Sequence, residues 1–125
     1  MNNTVKIISK KDIANLVVSL GFRSDISGYT YLVDGINIVL GCYLNGEDMP
    51  KMEYVYNQIA SQSANLSYSK IERCVRYLIE EWVPNVHVYD RPCKELVENI
   101  LSSNRLYPRT LIFSLANYLL YNYTK

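Results

Sequence analysis

The stretch Leu66–Trp82, LSYSKIERCVRYLIEEW, constrains this chain more than any other. On a helical wheel at roughly 100° per residue, Ile71, Cys74, Val75, Leu78, Ile79 and Trp82 share one side. Ser69, Lys70, Glu72, Arg73, Arg76, Tyr77 and Glu80 share the other. So clean a division requires the rest of the chain to cover the apolar side. The polar side sets Lys70, Arg73 and Arg76 around Glu72 and carries no large aliphatic group. Such side chains reach base edges and phosphates when the first half of a helix enters a major groove.

Two residues compete to cap this helix. Ser69 with Glu72 fits a capping box, in which Glu72 turns back to the backbone. Ser67 instead gives a hydrophobic staple, Leu66 against Ile71, and leaves Glu72 free to point outward. Ser67 is preferred, because the staple also fixes how the chain enters the helix. The expectation is then that Lys70, Arg73 and Arg76 stand out from the body, with Glu72 unclaimed by its own backbone. Glu72, Arg76 and Glu80 also sit at i, i+4 spacing, which suits a merely solvated face stabilised by ~0.2–0.5 kcal/mol per pair.

The preceding residues favour the first reading. Met52, Val55, Tyr56, Ile59 and Ala60 mark a shorter amphipathic helix in KMEYVYNQIASQ, and a polar turn, Ser61 to Asn65, joins it to the long one. Short helix, tight turn and longer helix with a basic outer face, over about residues 51–82, is the helix-turn-helix order, here without the usual turn glycine.

Elsewhere, residues 1–8 read as a frayed or loosely docked lead-in. Ser9 is suited to cap a helix whose inner face is Ile13, Leu16, Val17 and Leu20, with Gly21 as its stop. FRSDISG reads as a loop. YTYLVDGINIVLGCYL follows, with Tyr29, Leu32, Ile36, Val39, Leu40 and Tyr43 at helical spacing. Its Gly35 and Gly41 each cost ~1 kcal/mol relative to Ala in a helix interior, so they either admit a neighbouring helix or mark the helix end. Pro50 is suited to open the helix at 51, and Pro84 to stop the long one. VPNVHVYDRP reads as an extended connection. KELVENIL is a short helix with Leu96, Val97, Ile100 and Leu101 inward. Pro108 opens a terminal helix with Leu111, Ile112, Leu115, Leu119 and Tyr118 packed. The expected architecture is all-α: a single domain of about six helices spanning residues 1–125.

The 125 residues suffice for one core, and a 49% hydrophobic and 20% charged composition is that of a globular protein. A formal net charge of only +1 argues against strong non-specific affinity for DNA while leaving room for a local basic patch. Cys42, Cys74 and Cys93 are far apart and odd in number, which favours buried thiols over disulfides or zinc and fits a cytoplasmic protein. No segment has a signal peptide's apolar run or the ~18 apolar residues of a membrane span. His87 stands without an acidic partner or nucleophile. Phosphate-loop, dinucleotide and zinc-protease motifs are missing, and Glu80 and Glu81 are expected to face solvent. Neither enzymatic activity nor a cofactor or metal is expected. The twelve tyrosines, with abundant Asn, Ile and Ser, suggest an AT-rich coding sequence, although a tyrosine-rich surface also suits a protein partner.

LGFRSDISGYTYLVDGINIV, then VYNQIA, then YSKIERCVRYLIE resemble the C-terminal DNA-binding domain of the sporulation master response regulator, stage-zero sporulation protein A. That family has a GY-x-YL motif leading into a long helix, a Y-x-x-IA helix and an S-[RK]-[VI]-ER-x-[VI]-R recognition helix. LYPRTLIFSLANYLL is more weakly similar to its closing helix. The resemblance implies an all-α helix-turn-helix domain that reads a TGTCGAA-like box, often as head-to-tail neighbours on tandem boxes. Lys70, Glu72, Arg73 and Arg76 stand at positions the family uses on DNA, and the expected DNA-binding set is Ser69, Lys70, Glu72, Arg73, Arg76 and Tyr77. Chemically, Arg73 or Arg76 suits guanine, Glu72 the N4 amino group of cytosine, and Lys70 phosphate.

The chain also departs from the family. Met1 lies close to the first helix, so neither a receiver domain nor control by its phosphorylation is expected. A few extra residues fall before the recognition helix. VPNVHVYDRPCKE does not match the family segment that approaches the polymerase sigma subunit, so repression or competition for boxes is expected over activation. The expected function is a sequence-specific regulator of transcription acting on double-stranded DNA. The alternative is a protein-interaction module of the same descent that engages a regulator or RNA polymerase without binding DNA.

Overall fold

The computed structural model describes residues 8–87, 93–102 and 106–124. Among them are six α-helices: α1 (Lys10–Ser19), α2 (Ser27–Leu44), α3 (Met52–Ala60), α4 (Tyr68–Trp82), α5 (Lys94–Leu101) and α6 (Pro108–Thr124). The all-α expectation is met, with no strand among the described residues.

Local chemistry sets most helix ends. Ser9 accepts from the Asp12 amide while Asp12 accepts from the Ser9 amide, a complete capping box for α1. Gly21, at φ 96°, ends α1: its amide donates to the Val18 carbonyl and the Phe22 amide to that of Val17, the paired bonds of a Schellman turn. Gly46, at φ 76°, repeats the device after α2, with Gly46 bonded to Tyr43 and Glu47 to Cys42. Pro50 lies outside α3 rather than opening it, since Lys51 is the N-cap and Met52 the first helical residue.

The longest helix, α2, is central and packs against α1, α3, α4 and α6, while α5 packs on α6. One continuous apolar cluster takes residues from all six helices, including Ile13, Leu32, Ile36, Val55, Ile71, Leu78, Val97, Leu111 and Leu115. Full burial of each such side chain contributes ~1.5–3 kcal/mol. Ile8 also belongs to this core at 8% exposure, so the lead-in is docked at its last residue. Residues 1–7 and the second half of the expected extended connection, 88–92, lie outside the described residues.

The structure revises several expectations. α2 begins at Ser27, inside the segment read as loop, because Gly28 has to approach α4 closely. Gly35 admits α6: a Cβ there would lie 3.1 Å from Ile112 Cδ1. Gly41 neither faces a neighbour within 4 Å nor ends the helix. Asp34 is buried at 6% exposure and ion-paired to Lys10 across α1 and α2 at 2.6 Å. Val83–Asn85 forms a turn of 3-10 helix, not extended chain, because Pro84 ends the α-helical bonding of α4 but is compatible with one tighter turn. Cys42 is buried, whereas Cys74 and Cys93 are half-buried; all three are free thiols. No helix among the described residues is long and apolar enough to cross a membrane.

Candidate nucleic-acid interface

Ser67 caps α4, its hydroxyl accepting from the Lys70 amide at 3.2 Å, and Leu66 packs on the core cluster that contains Ile71. The helix is then held along its inner side. Ile71, Val75 and Leu78 are 0% exposed. Trp82 stacks on Phe22 with ring centroids 4.3 Å apart, and its indole N–H donates to the Leu20 carbonyl at 2.8 Å. Between these anchors, Gly28 of α2 sits directly against α4. Any side chain there would overlap the Cys74 carbonyl oxygen and come within 2.9 Å of Leu78 Cβ. The inner side being fixed, helix geometry turns the polar residues outward.

Ser69, Lys70, Arg73 and Tyr77 are exposed, Tyr77 at 49%. The side chains of Lys70 and Arg73 make no ion pair or hydrogen bond with the described residues. Glu80 is exposed as expected. Glu81 instead accepts from the Arg23 guanidinium at 3.0 Å, and the same guanidinium forks onto Asp25. That fork, ahead of a backbone hydrogen bond, holds the Asp25 carboxyl below its ordinary range.

Arg76 and Glu72 are where the expectation of freely projecting groups is corrected. Arg76 Nη2 donates to Glu72 Oε2 at 2.5 Å, with the two side chains 44% and 28% exposed. The spacing is i, i+4, so one helical turn sets the two side by side on the same face. Glu72 is not bonded to its own backbone, as the Ser67 cap requires. It also borders α3. The Tyr56 ring of α3 meets Tyr68 of α4 edge-on at 5.0 Å, and Glu72 lies one turn beyond Tyr68. Burial first, and then the Glu72 carboxylate, push the Tyr56 phenol far above its ordinary range. The Tyr56 hydroxyl is nevertheless buried without a hydrogen bond of good geometry.

On its other flank the α4 face borders the start of α2 across a groove of about 570 Å³ lined by Asp25, Ser27, Gly28, Arg73, Cys74 and Tyr77. Cys74 therefore lies at the border between the apolar side and this groove. The outer face thus presents Lys70 and Arg73 unpaired, Arg76 paired within the helix, and tyrosines at both flanks.

The wheel gives the six expected residues a common face, and the structure keeps them there. It gave no notice of Gly28 as the seat of α4, of Arg23 as a clasp on its last turn, or of the Tyr56 hydroxyl. The available signals were a glycine directly before Tyr29, the first apolar position of α2, and one phenol among aliphatic residues on the inner side of α3.

Residues 13–110, which run from α1 into the first turn of α6, match the model of a protein family described as sporulation initiation factor Spo0A C terminal. No curated protein sequence matches the chain.

Proposed function

The chain belongs to the Spo0A C-terminal family, a family of DNA-binding effector domains, and from that premise we infer that it is a sequence-specific regulator of transcription that reads duplex DNA with the outer face of α4. The observation that carries the reading is the pair of exposed cations, Lys70 and Arg73, unpaired among the described residues, on the first turns of a helix anchored on its opposite side. Guanidinium groups suit the O6 and N7 acceptors of guanine, so Arg73 and Arg76 are the guanine readers. Glu72 accepts from cytosine N4, Lys70 holds phosphate, and the Ser69 and Tyr77 hydroxyls border the same face. The target in this reading is a TGTCGAA-like box, with tandem boxes taken by neighbouring copies. A cytoplasmic location follows from that role, and the chemistry requires neither cofactor nor catalysis.

The test is a binding series on duplexes with and without the box. Arg73→Ala is expected to cost ~1–3 kcal/mol on the box and to relax preference at one base pair. Lys70→Ala is expected to weaken all duplexes alike and to lower the salt slope by about 0.9. Wild-type protein that binds box and unrelated duplex equally refutes the reading.

Tyr54, Tyr68 and Tyr77, each 39–49% exposed, favour a second reading. In it the helix-turn-helix surface engages RNA polymerase or another regulator, since exposed tyrosines suit protein interfaces. Stoichiometric co-purification of a protein partner, without salt-dependent DNA binding, selects that reading.

A further inference from the structure

We propose that Tyr56 is a positioning residue for base discrimination: its buried hydroxyl takes hold of the Glu72 carboxylate when Arg76 releases it for DNA. The proposal rests on the DNA-reading role of α4 and adds to it the group that aims Glu72.

Three observations converge. Tyr56 is 0% exposed, among the largest fully buried side chains, and its hydroxyl makes no hydrogen bond of good geometry among the described residues. A phenol in a helix interface would ordinarily be satisfied or replaced by Phe, because a buried polar atom left unpaired is destabilising. The acceptor beside it is Glu72, which sits one turn past Tyr68, the residue that packs edge-on against the Tyr56 ring. That carboxylate is committed to Arg76 in the free protein.

An arginine that donates to guanine turns its fork away from Glu72, so the carboxylate loses the Arg76 hydrogen bond that holds it in the free protein as it meets the groove. A carboxylate free to rotate beside phosphates is repelled and reads nothing. With the Tyr56 hydroxyl donating to one oxygen, the other is aimed outward at the amino group of cytosine. The unsatisfied hydroxyl of the free protein thus becomes satisfied in the complex, in the manner of groups kept at a cost to stability for use on a ligand.

The experiment pairs Tyr56→Phe with wild type on two duplexes, one carrying the box and one with its C·G pair changed to T·A. The preference for the first duplex is expected to fall about tenfold in Y56F, as loss of a hydrogen bond to a charged group predicts. The thermal midpoint is expected to stay equal to wild type or rise, because a buried orphan hydroxyl is removed. In a Glu72→Ala background the same substitution is expected to change nothing further. A preference unchanged in Y56F, where wild type discriminates, overturns the proposal and leaves the DNA reading standing. Equal loss with and without Glu72 also overturns it, since the hydroxyl would then act through packing. Wild type without any preference overturns the reading beneath it as well. One measurement needs no variant: the Tyr56 Cζ chemical shift should move on adding the box and not on adding unrelated duplex. A shift that stays put with both refutes the proposal.

Discussion

Whether Arg76 is available to DNA depends on what its bond to Glu72 is worth. The two side chains are 44% and 28% exposed and one helical turn apart. Pairs of that kind contribute ~0.3–0.5 kcal/mol, equivalent to about twofold in an equilibrium constant. A bidentate contact with guanine discriminates by ~1–3 kcal/mol, about 5- to 150-fold. In the proposed reading of DNA by α4 the groove is therefore expected to outcompete the carboxylate, and the pair to act as a parking position for the guanidinium. Arg76→Ala, Glu72→Ala and the double variant form a thermodynamic cycle that tests this. Urea unfolding should give a coupling no larger than ~0.5 kcal/mol between the two sites. In anisotropy titrations, Arg76→Ala should weaken box binding 5-fold or more, on the scale of one base contact, about 1–3 kcal/mol. Glu72→Ala should tighten binding to unrelated duplex, because a negative charge leaves the neighbourhood of Lys70 and Arg73, while selectivity at cytosine falls. A stability coupling above ~2 kcal/mol would refute the reasoning, since it would mean the pair behaves as a buried one and holds Arg76 in place.

The glycines of α2 offer a contrast within one helix. Gly41→Ala, with nothing within 4 Å of the new methyl, should stabilise by ~0.5–1 kcal/mol, whereas Gly28→Ala should destabilise by ~1–3 kcal/mol or more against the Cys74 carbonyl, both read from urea midpoints. Alkali should unfold the protein early. Burial raises the Cys42 thiol from 9.0 and the Tyr31, Tyr43 and Tyr56 phenols from 10.0, so the folded state favours their neutral forms. The stability they confer is complete below those values and is lost as pH rises through them, where the unfolded chain sheds protons first. Thermal midpoints taken from pH 7 to 11 should fall beyond pH 9, and Tyr56→Phe should flatten the decline; a midpoint constant to pH 11 contradicts it.

What the sequence disclosed was what depends on near neighbours. The Ser67 cap, the Ser9 cap and the Gly21 stop each involve residues within a turn of one another, and each stands as expected. The same holds for the division of α4, whose period is set by backbone geometry. Missed features depend on residues far apart in the chain. Asp34 lies on the polar side of its own helix, yet it is buried at 6% exposure where α1 brings Lys10 to within 2.6 Å of it. Arg23 reads as a loop cation, and only folding brings it to Glu81. Gly28 looks like a turn former until α4 is laid across it. For the candidate site, the shared face was legible and the i, i+4 spacing of Glu72 and Arg76 was visible. Which of the two attractions, to each other or outward, prevails in the free chain was a matter of side-chain rotamers that the spacing leaves open.

Because α4 is clamped at Ser67, Gly28 and Trp82, it behaves as a ruler with fixed graduations. Lys70, Arg73 and Arg76 follow one another at about 4.5 Å along its axis, three residues at about 1.5 Å each. Successive base pairs are spaced about 3.4 Å, so a helix laid along the groove addresses roughly three or four of them. A seven-letter target is longer than this scale. On the proposed box the remaining letters would then fall to other parts of the fold, or to a neighbouring copy whose own ruler continues the measurement.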